Sequence, residues 1–224
     1  MIRPFINGVA GAALALLSGC GTVRNVETPP QAAPPEAPPA IAPARAEPAP
    51  IALSWDDDAA RKAWSATLLA AIREHKAELD SGNPDAFIPG YASLSADDQV
   101  KFWAELVVAM AKFESNWNPH AHFKEPPPLN VTSLGLLQIS YEDGAQYHLE
   151  PLDREHHALE DPQVNLRCGV TMLAHLVARD GVIAAGRGAS SRGAARYWAV
   201  LREGKAHRLA QIKALTQRAV GIPQ

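Results

Sequence analysis

Two cysteines, Cys20 and Cys168, are too few among 224 residues for a disulfide framework or a structural zinc site, so the folded part of this chain stands on its packing. Positive charge is not in excess either. Lys and Arg number 21 against 24 Asp and Glu, and a formal net charge of -3 gives a nucleic-acid partner no electrostatic support. The apolar run near the N-terminus is too short to cross a bilayer as a permanent anchor. The alternating strands that a two-sheet or doubly wound architecture needs are missing. What is present, 47% hydrophobic and 20% charged residues, suits one ordinary globular domain with chain to spare.

The spare chain lies at the N-terminus. Residues 1–19 place Arg3 before a short run of small and apolar residues, the layout of a signal peptide. The run ends in Leu17-Ser18-Gly19-Cys20, which resembles the bacterial lipobox. That resemblance implies cleavage before Cys20 and acylation there, so that lipid chains tie the protein to a membrane. An ordinary secretory peptide is the alternative. Gly21 stands where retention signals of the inner membrane usually show Asp, which favours the outer membrane, facing the periplasm. Residues 20–51 are rich in Pro and Ala, with nine of the nineteen prolines and no aromatic residue between 22 and 50. Such a stretch buries no core and favours extended polyproline conformation at about 3.1 Å per residue. It reads as a disordered tether, with a proline-rich docking ligand as the alternative.

From residue 52 to 224 the pattern is helical. Asp56-Asp57-Asp58 suit the positive end of a helix that puts Trp64, Leu68, Ile72, His75 and Leu79 on one face. Ser81-Gly82-Asn83-Pro84 stops it. Ser95 reads as an N-cap, followed by Asp97 and Asp98 and a wide stripe of Phe102, Trp103, Leu106, Val107, Met110 and Phe113. Further helices are expected over 136–147, 162–178, 194–202 and 209–220, with a glycine-rich loop over 181–193. The fold class is therefore mostly α, with long loops.

Glu114 lies four residues after Met110, seven after Val107 and eleven after Trp103, which sets its carboxyl on the apolar stripe. Desolvation there raises a carboxyl pKa, and a proton kept near neutral pH is what a general acid offers a leaving oxygen. By periodicity alone, a helix-end glutamate swung outward or paired with a base is the favoured reading.

The neighbouring motifs decide the matter. Glu114 opens ESNWNP, and SLGLLQIS follows from Ser133 to Ser140, then Tyr141, DPQVNLRCGVTMLAHL and ARYWAVLR. In this order they resemble the lytic transglycosylases of the soluble, goose-lysozyme-like superfamily, over roughly residues 95–202. The resemblance implies a lysozyme-like helical domain, peptidoglycan glycan strands as the partner, no cofactor and no metal. It matches Glu114 to the catalytic acid. Gly135, Leu136 and Gln138 match the cleft segment, Asn165 and Gly169 the supporting helix, and Tyr197 the cleft tyrosine. Ser133 stands near the cleft serine, whose usual place is taken by Leu129.

In physical terms, Gly135 would let backbone approach a sugar and Gln138 would supply an amide. Tyr197, Tyr141 and Trp117 would offer flat faces, with core packing as the other reading of Trp117. Tyr197 would also reach Glu114. The implied reaction needs one carboxylate, acid then base, and yields a 1,6-anhydro-N-acetylmuramic acid (MurNAc) end at the bond to N-acetylglucosamine (GlcNAc). Glu125, Glu142, Asp143 and Asp153 are the candidate second carboxylates for the alternative, lysozyme-type hydrolysis, though each reads by default as solvated. A non-catalytic peptidoglycan-binding lipoprotein is the third reading. Eighteen residues separate Glu114 from Ser133, an inserted lip, and Trp198 replaces the asparagine that usually follows the tyrosine. His120, His122, His156 and His157 lack a carboxylate or cysteine pattern that would complete a metal site. Cys168 reads as a buried apolar residue and the basic C-terminus as a solvated helix face.

Overall fold

The computed structural model describes residues 50–222. The expected signal peptide, Cys20 and nearly all of the expected tether over 20–51 lie outside the described residues.

The central element is α4 (Ala96–Ser115), whose residues 102 to 111 are all buried. Ser95 caps it, its hydroxyl accepting from the Asp98 N–H at 3.1 Å, and Asp97 and Asp98 sit in the first turn, where the helix dipole favours acids. Around it lie α1 (Ala59–Glu74), capped by Asp58, and α7 (Leu209–Ala219), both packed on α4. α6 (Pro162–Asp180) packs on α1; Asp161 caps it, Pro162 opens it, and Gly181 at φ +64° closes it. Phe102, Trp103, Leu106 and Met110 are fully buried, each side chain contributing about 1.5–3 kcal/mol by leaving water.

The expected first helix is broken in two. His75 leaves helical geometry, and a separate α2 (Lys76–Asp80) packs on α6. A short α3 (Pro84–Phe87) follows, with Pro84 at its first position.

The departures from a purely helical reading fall where the cleft forms. The long link after α4 holds an antiparallel ribbon, β1 (His122–Lys124) with β2 (Thr132–Leu134). A helix over 136–147 does not form. Gly135 at φ +73° and Gln138 at φ +50° turn the chain left-handed, and only α5 (Asp143–Gln146) is helical. Asp143 Oδ2 accepts from the N–H and hydroxyl of Ser140, both at 2.9 Å, which caps the chain just before α5. The loop over 181–193 contains a second small ribbon, β3 (Ala184–Ala185) with β4 (Arg192–Gly193). Residues 194–196 and 199–201 form two separate 3₁₀ turns in place of one helix. Strands of two or three residues are too short to leave an alternating pattern.

Candidate active site

Glu114 comes at the last turn of α4, just before the chain turns left-handed at Asn116 (φ +52°) and Trp117 (φ +59°). There it faces a cleft of about 540 Å³. One wall is the ribbon: Glu125 just after β1, Leu129 and Val131 in the lip, and Ser133 on β2. Gln138, Ser140 and α5 continue the lining, which the 196–202 segment completes.

One oxygen of Glu114, Oε1, is buried without a hydrogen-bond partner. Burial pushes its carboxyl from 4.5 up to about 7, and the nearby Glu125 carboxylate adds to the rise by repulsion; the Arg202 guanidinium and the Val200 backbone N–H pull the other way. The chemical result is a carboxyl that is still substantially protonated at neutral pH and has an unengaged oxygen. Ser115, next in sequence, donates to the carbonyl of Leu136 at 3.0 Å and so ties the end of α4 to the Gly135–Gln138 turn.

That turn is held by Asn165 of α6. Its Oδ1 accepts from Leu137 N–H at 2.9 Å, and its Nδ2 donates to the carbonyls of Leu134 at 3.0 Å and Leu159 at 2.9 Å. Gly135 is needed here. A Cβ on it would lie 2.3 Å from Asn165 Nδ2 and 2.4 Å from the Leu159 carbonyl oxygen. Its close approach is thus to the supporting helix, not to open cleft space. One turn further along α6, a Cβ on Gly169 would meet Leu137 Cδ1 at 2.1 Å.

The other sequence-derived candidates divide. Ser133 lines the cleft and donates to Glu125 Oε1 at 3.0 Å. Gln138 also lines it, though its Nε2 is spent on the carbonyls of Gly135 (2.9 Å) and Ala121 (3.2 Å), which leaves its Oε1 as the group with capacity. Tyr197 lines the cleft, but its hydroxyl donates to Asp143 Oδ2 at 2.6 Å, 3.2 Å from the Gln138 carbonyl, and makes no bond to Glu114. Burial beside Asp143 pushes that phenol far up, so it stays neutral. Leu136 is fully buried. Tyr141 faces a separate, smaller pocket, where the Arg154 guanidinium lies 4.7 Å from its ring centroid. Trp117 packs on the core, donates to the Val108 carbonyl at 2.9 Å and carries Arg61 and Lys112 on its ring faces.

Two cleft residues carried little sequence signal. Glu125 sits in a polar, proline-flanked lip where solvation was the default expectation; the strand pairing that turns it inward is too short to read in advance. Arg202 stood in a basic C-terminal stretch that reads as a solvated face. Of the histidines, His120 and His157 share Glu160 at 3.3 and 2.9 Å, and His156 pairs with Asp153 at 2.6 Å. Cys168 is buried, and desolvation pushes its thiol up to about 12, which makes it a poor nucleophile.

A helical domain whose central helix delivers a buried carboxyl to a ribbon-walled cleft is a lysozyme-like fold. The transglycosylase SLT domain family matches residues 92–201. Among solved structures, wild-type DslA (Bd0314, form 2) is 34% identical with a TM-score of 0.66, over 75% of this chain and 96% of that one. Two glutamate-to-glutamine variants of DslA give 34% identity and TM-score 0.64 over 74% and 94% of the two chains, and 32% and 0.61 over 75% and 96%. No curated protein sequence matches. The chain belongs to the transglycosylase SLT domain family, the lytic transglycosylases, whose substrate is peptidoglycan.

Proposed function

We propose that this protein cleaves the MurNAc–GlcNAc bond of peptidoglycan by lytic transglycosylation, with Glu114 as acid and then base. The observation that carries this reading is the buried, unpartnered Glu114 Oε1 on a carboxyl raised to about 7. Glu114 gives its proton to the leaving glycosidic oxygen as the C1–O bond breaks, and the acetamido group of the same sugar stabilises the cationic centre. The ionised Glu114 then takes the proton of the 6-hydroxyl while its oxygen bonds to C1, closing the 1,6-anhydro ring without water. Holding the hydroxyl in place is worth about 7–11 kcal/mol in well-oriented cases. Ser133 and Gln138 present polar groups to the sugar, and Tyr197 adds aromatic surface to the lining. A digest of purified sacculi, read by mass spectrometry, tests the reading. Products one water lighter than the reducing-end muropeptides support it.

Hydrolysis is the second reading, favoured by Glu125 sharing the cleft with Glu114. The two variants of DslA alter glutamates eleven residues apart, the separation of Glu114 and Glu125 here. In that reading Glu125 takes a proton from water as its oxygen bonds to C1, and reducing ends accumulate.

Acid catalysis requires protonated Glu114, so activity should be full at acid pH and fall as pH rises through about 7. Because Glu125 raises that pKa, Glu125→Gln should move the falling limb to lower pH. A limb that stays in place would show that the two carboxyls are not coupled.

We place the protein at the outer membrane, facing the periplasm, held by acylation at Cys20 and a tether over 20–51. Cys20→Ala should shift it from the membrane to the soluble fraction after cell breakage; membrane retention would contradict lipid anchoring.

A further inference from the structure

We infer that Arg202 forms an anion-reading subsite of the cleft, which takes a carboxylate carried on the 3-O-lactyl arm of the muramyl residue beside the scissile bond. The inference rests on the reading of the cleft as a glycan site. Its starting point is charge. Four carboxyl residues line the cleft, Glu114, Glu125, Glu142 and Asp143, against two cations, Arg196 and Arg202. A substrate bearing carboxylates enters such a lining only if a cation is available to receive them.

Arg196 is not available. Its Nε lies 2.5 Å from Asp180 Oδ2 and its Nη2 3.2 Å from Asp180 Oδ1, and that pair also fastens β4 to the end of α6 through the Gly193 N–H. Arg202 makes no salt bridge among the described residues. Its Nε donates to the Ala195 carbonyl at 3.0 Å, and its Nη2 lies 3.5 Å from the Arg196 carbonyl. These contacts to backbone carbonyls hold the guanidinium without cancelling its charge, and Nη1 has no hydrogen-bond partner among the described residues. The side chain is half-buried, so its charge is less screened than that of a surface arginine. A planar guanidinium held in this way matches a carboxylate through paired N–H bonds.

Position agrees with charge. The lactyl ether is on C3 of the same ring whose C1 is cleaved, so its carboxyl lies close to the bond that Glu114 must reach. Arg202 lines the same cleft and acts on the Glu114 carboxyl through space. The carboxylate has two sources: the lactyl group itself, on strands stripped of stem peptide, or a stem-peptide carboxylate further along the arm.

The test is calorimetric titration of the full-length protein in a Glu114→Gln background, which leaves the ligands uncut. Three ligands of equal length serve as probes: a peptide-free GlcNAc–MurNAc oligosaccharide, its peptide-bearing counterpart, and a chitooligosaccharide that lacks the lactyl arm. At least one carboxylate-bearing ligand should bind about 10- to 100-fold tighter than the chitooligosaccharide, and which one does identifies the source. Adding Arg202→Gln should erase that gap without changing chitooligosaccharide binding. Arg202→Lys, which keeps the charge but not the bond to Ala195, should retain part of it. A gap that survives Arg202→Gln, or an equal loss for all three ligands, overturns the inference. If none of the three binds even with Arg202 intact, the glycan-cleft reading itself falls and takes this inference with it.

Discussion

Glu114→Gln should cut lysis of purified sacculi by about 10²- to 10⁴-fold while the fold survives. The glutamine fills the same space but has no proton to give to the leaving oxygen and cannot later act as base. The same change should stabilise the protein in alkaline buffer. A carboxyl whose folded pKa is raised, here from 4.5 to about 7, favours the folded state least once pH passes the folded value. Ionised Glu114 therefore costs on the order of 3 kcal/mol above pH 7, a cost absent at pH 4. Glu114→Gln should melt several degrees higher than the parent at pH 8, and the two should converge in acid. Lost lysis with a gained melting temperature is the signature of a residue kept for chemistry at the expense of stability. Activity within a few fold of the parent would remove Glu114 from the reaction.

Asn165→Ala should be the most damaging change away from the acid itself. Asn165 is fully buried and makes three hydrogen bonds to backbone groups of Leu134, Leu137 and Leu159. Truncation leaves the Leu137 N–H and the Leu159 carbonyl unpaired in the interior, at about 1–3 kcal/mol each, while the Leu134 carbonyl keeps the Ile139 N–H, so a total of about 2–6 kcal/mol is expected. That is a large share of a domain's ordinary stability of about 5–15 kcal/mol. The damage should centre on the Gly135–Gln138 turn, so activity should fall even at temperatures where the protein remains folded. Melting curves and sacculus digests at low temperature check both parts. A melting temperature within a degree or two of the parent would mean that Asn165 does not hold this turn together.

The long helices were legible because each carried its own start and stop signals. Ser95 with Asp97 and Asp98, and Pro162 ahead of a helical face, marked α4 and α6 where the structure has them. Glu114 on the apolar stripe was legible for the same reason, since helical spacing alone carries it to the buried side. The cleft was legible only in part. Ser133, Gln138 and Tyr197 came from motif order, and all three line the cleft. Trp117 and Tyr141 came from the same aromatic logic, yet packing against α4 and Arg154 draws them elsewhere. Glu125 was only one of four acids that read by default as solvated, and Arg202 was missed, because their inward placement depends on pairings within irregular loops: Glu125 N–H to the Val131 carbonyl across the lip, and Arg202 Nε to the Ala195 carbonyl. Neither bond leaves a periodic trace in the sequence. The expected helix over 136–147 failed for a local reason, two left-handed residues that hydropathy does not register.

The claim beneath the rest is that one carboxyl, poorly hydrated at the end of α4, keeps its proton near neutrality. Carbon-13 NMR titration of the glutamate side-chain carboxyls, with Glu114→Gln used to assign the signal, measures this directly. The account predicts that Glu114 titrates with a midpoint of about 7. A midpoint in the ordinary carboxylate range, near 4.5, would contradict it.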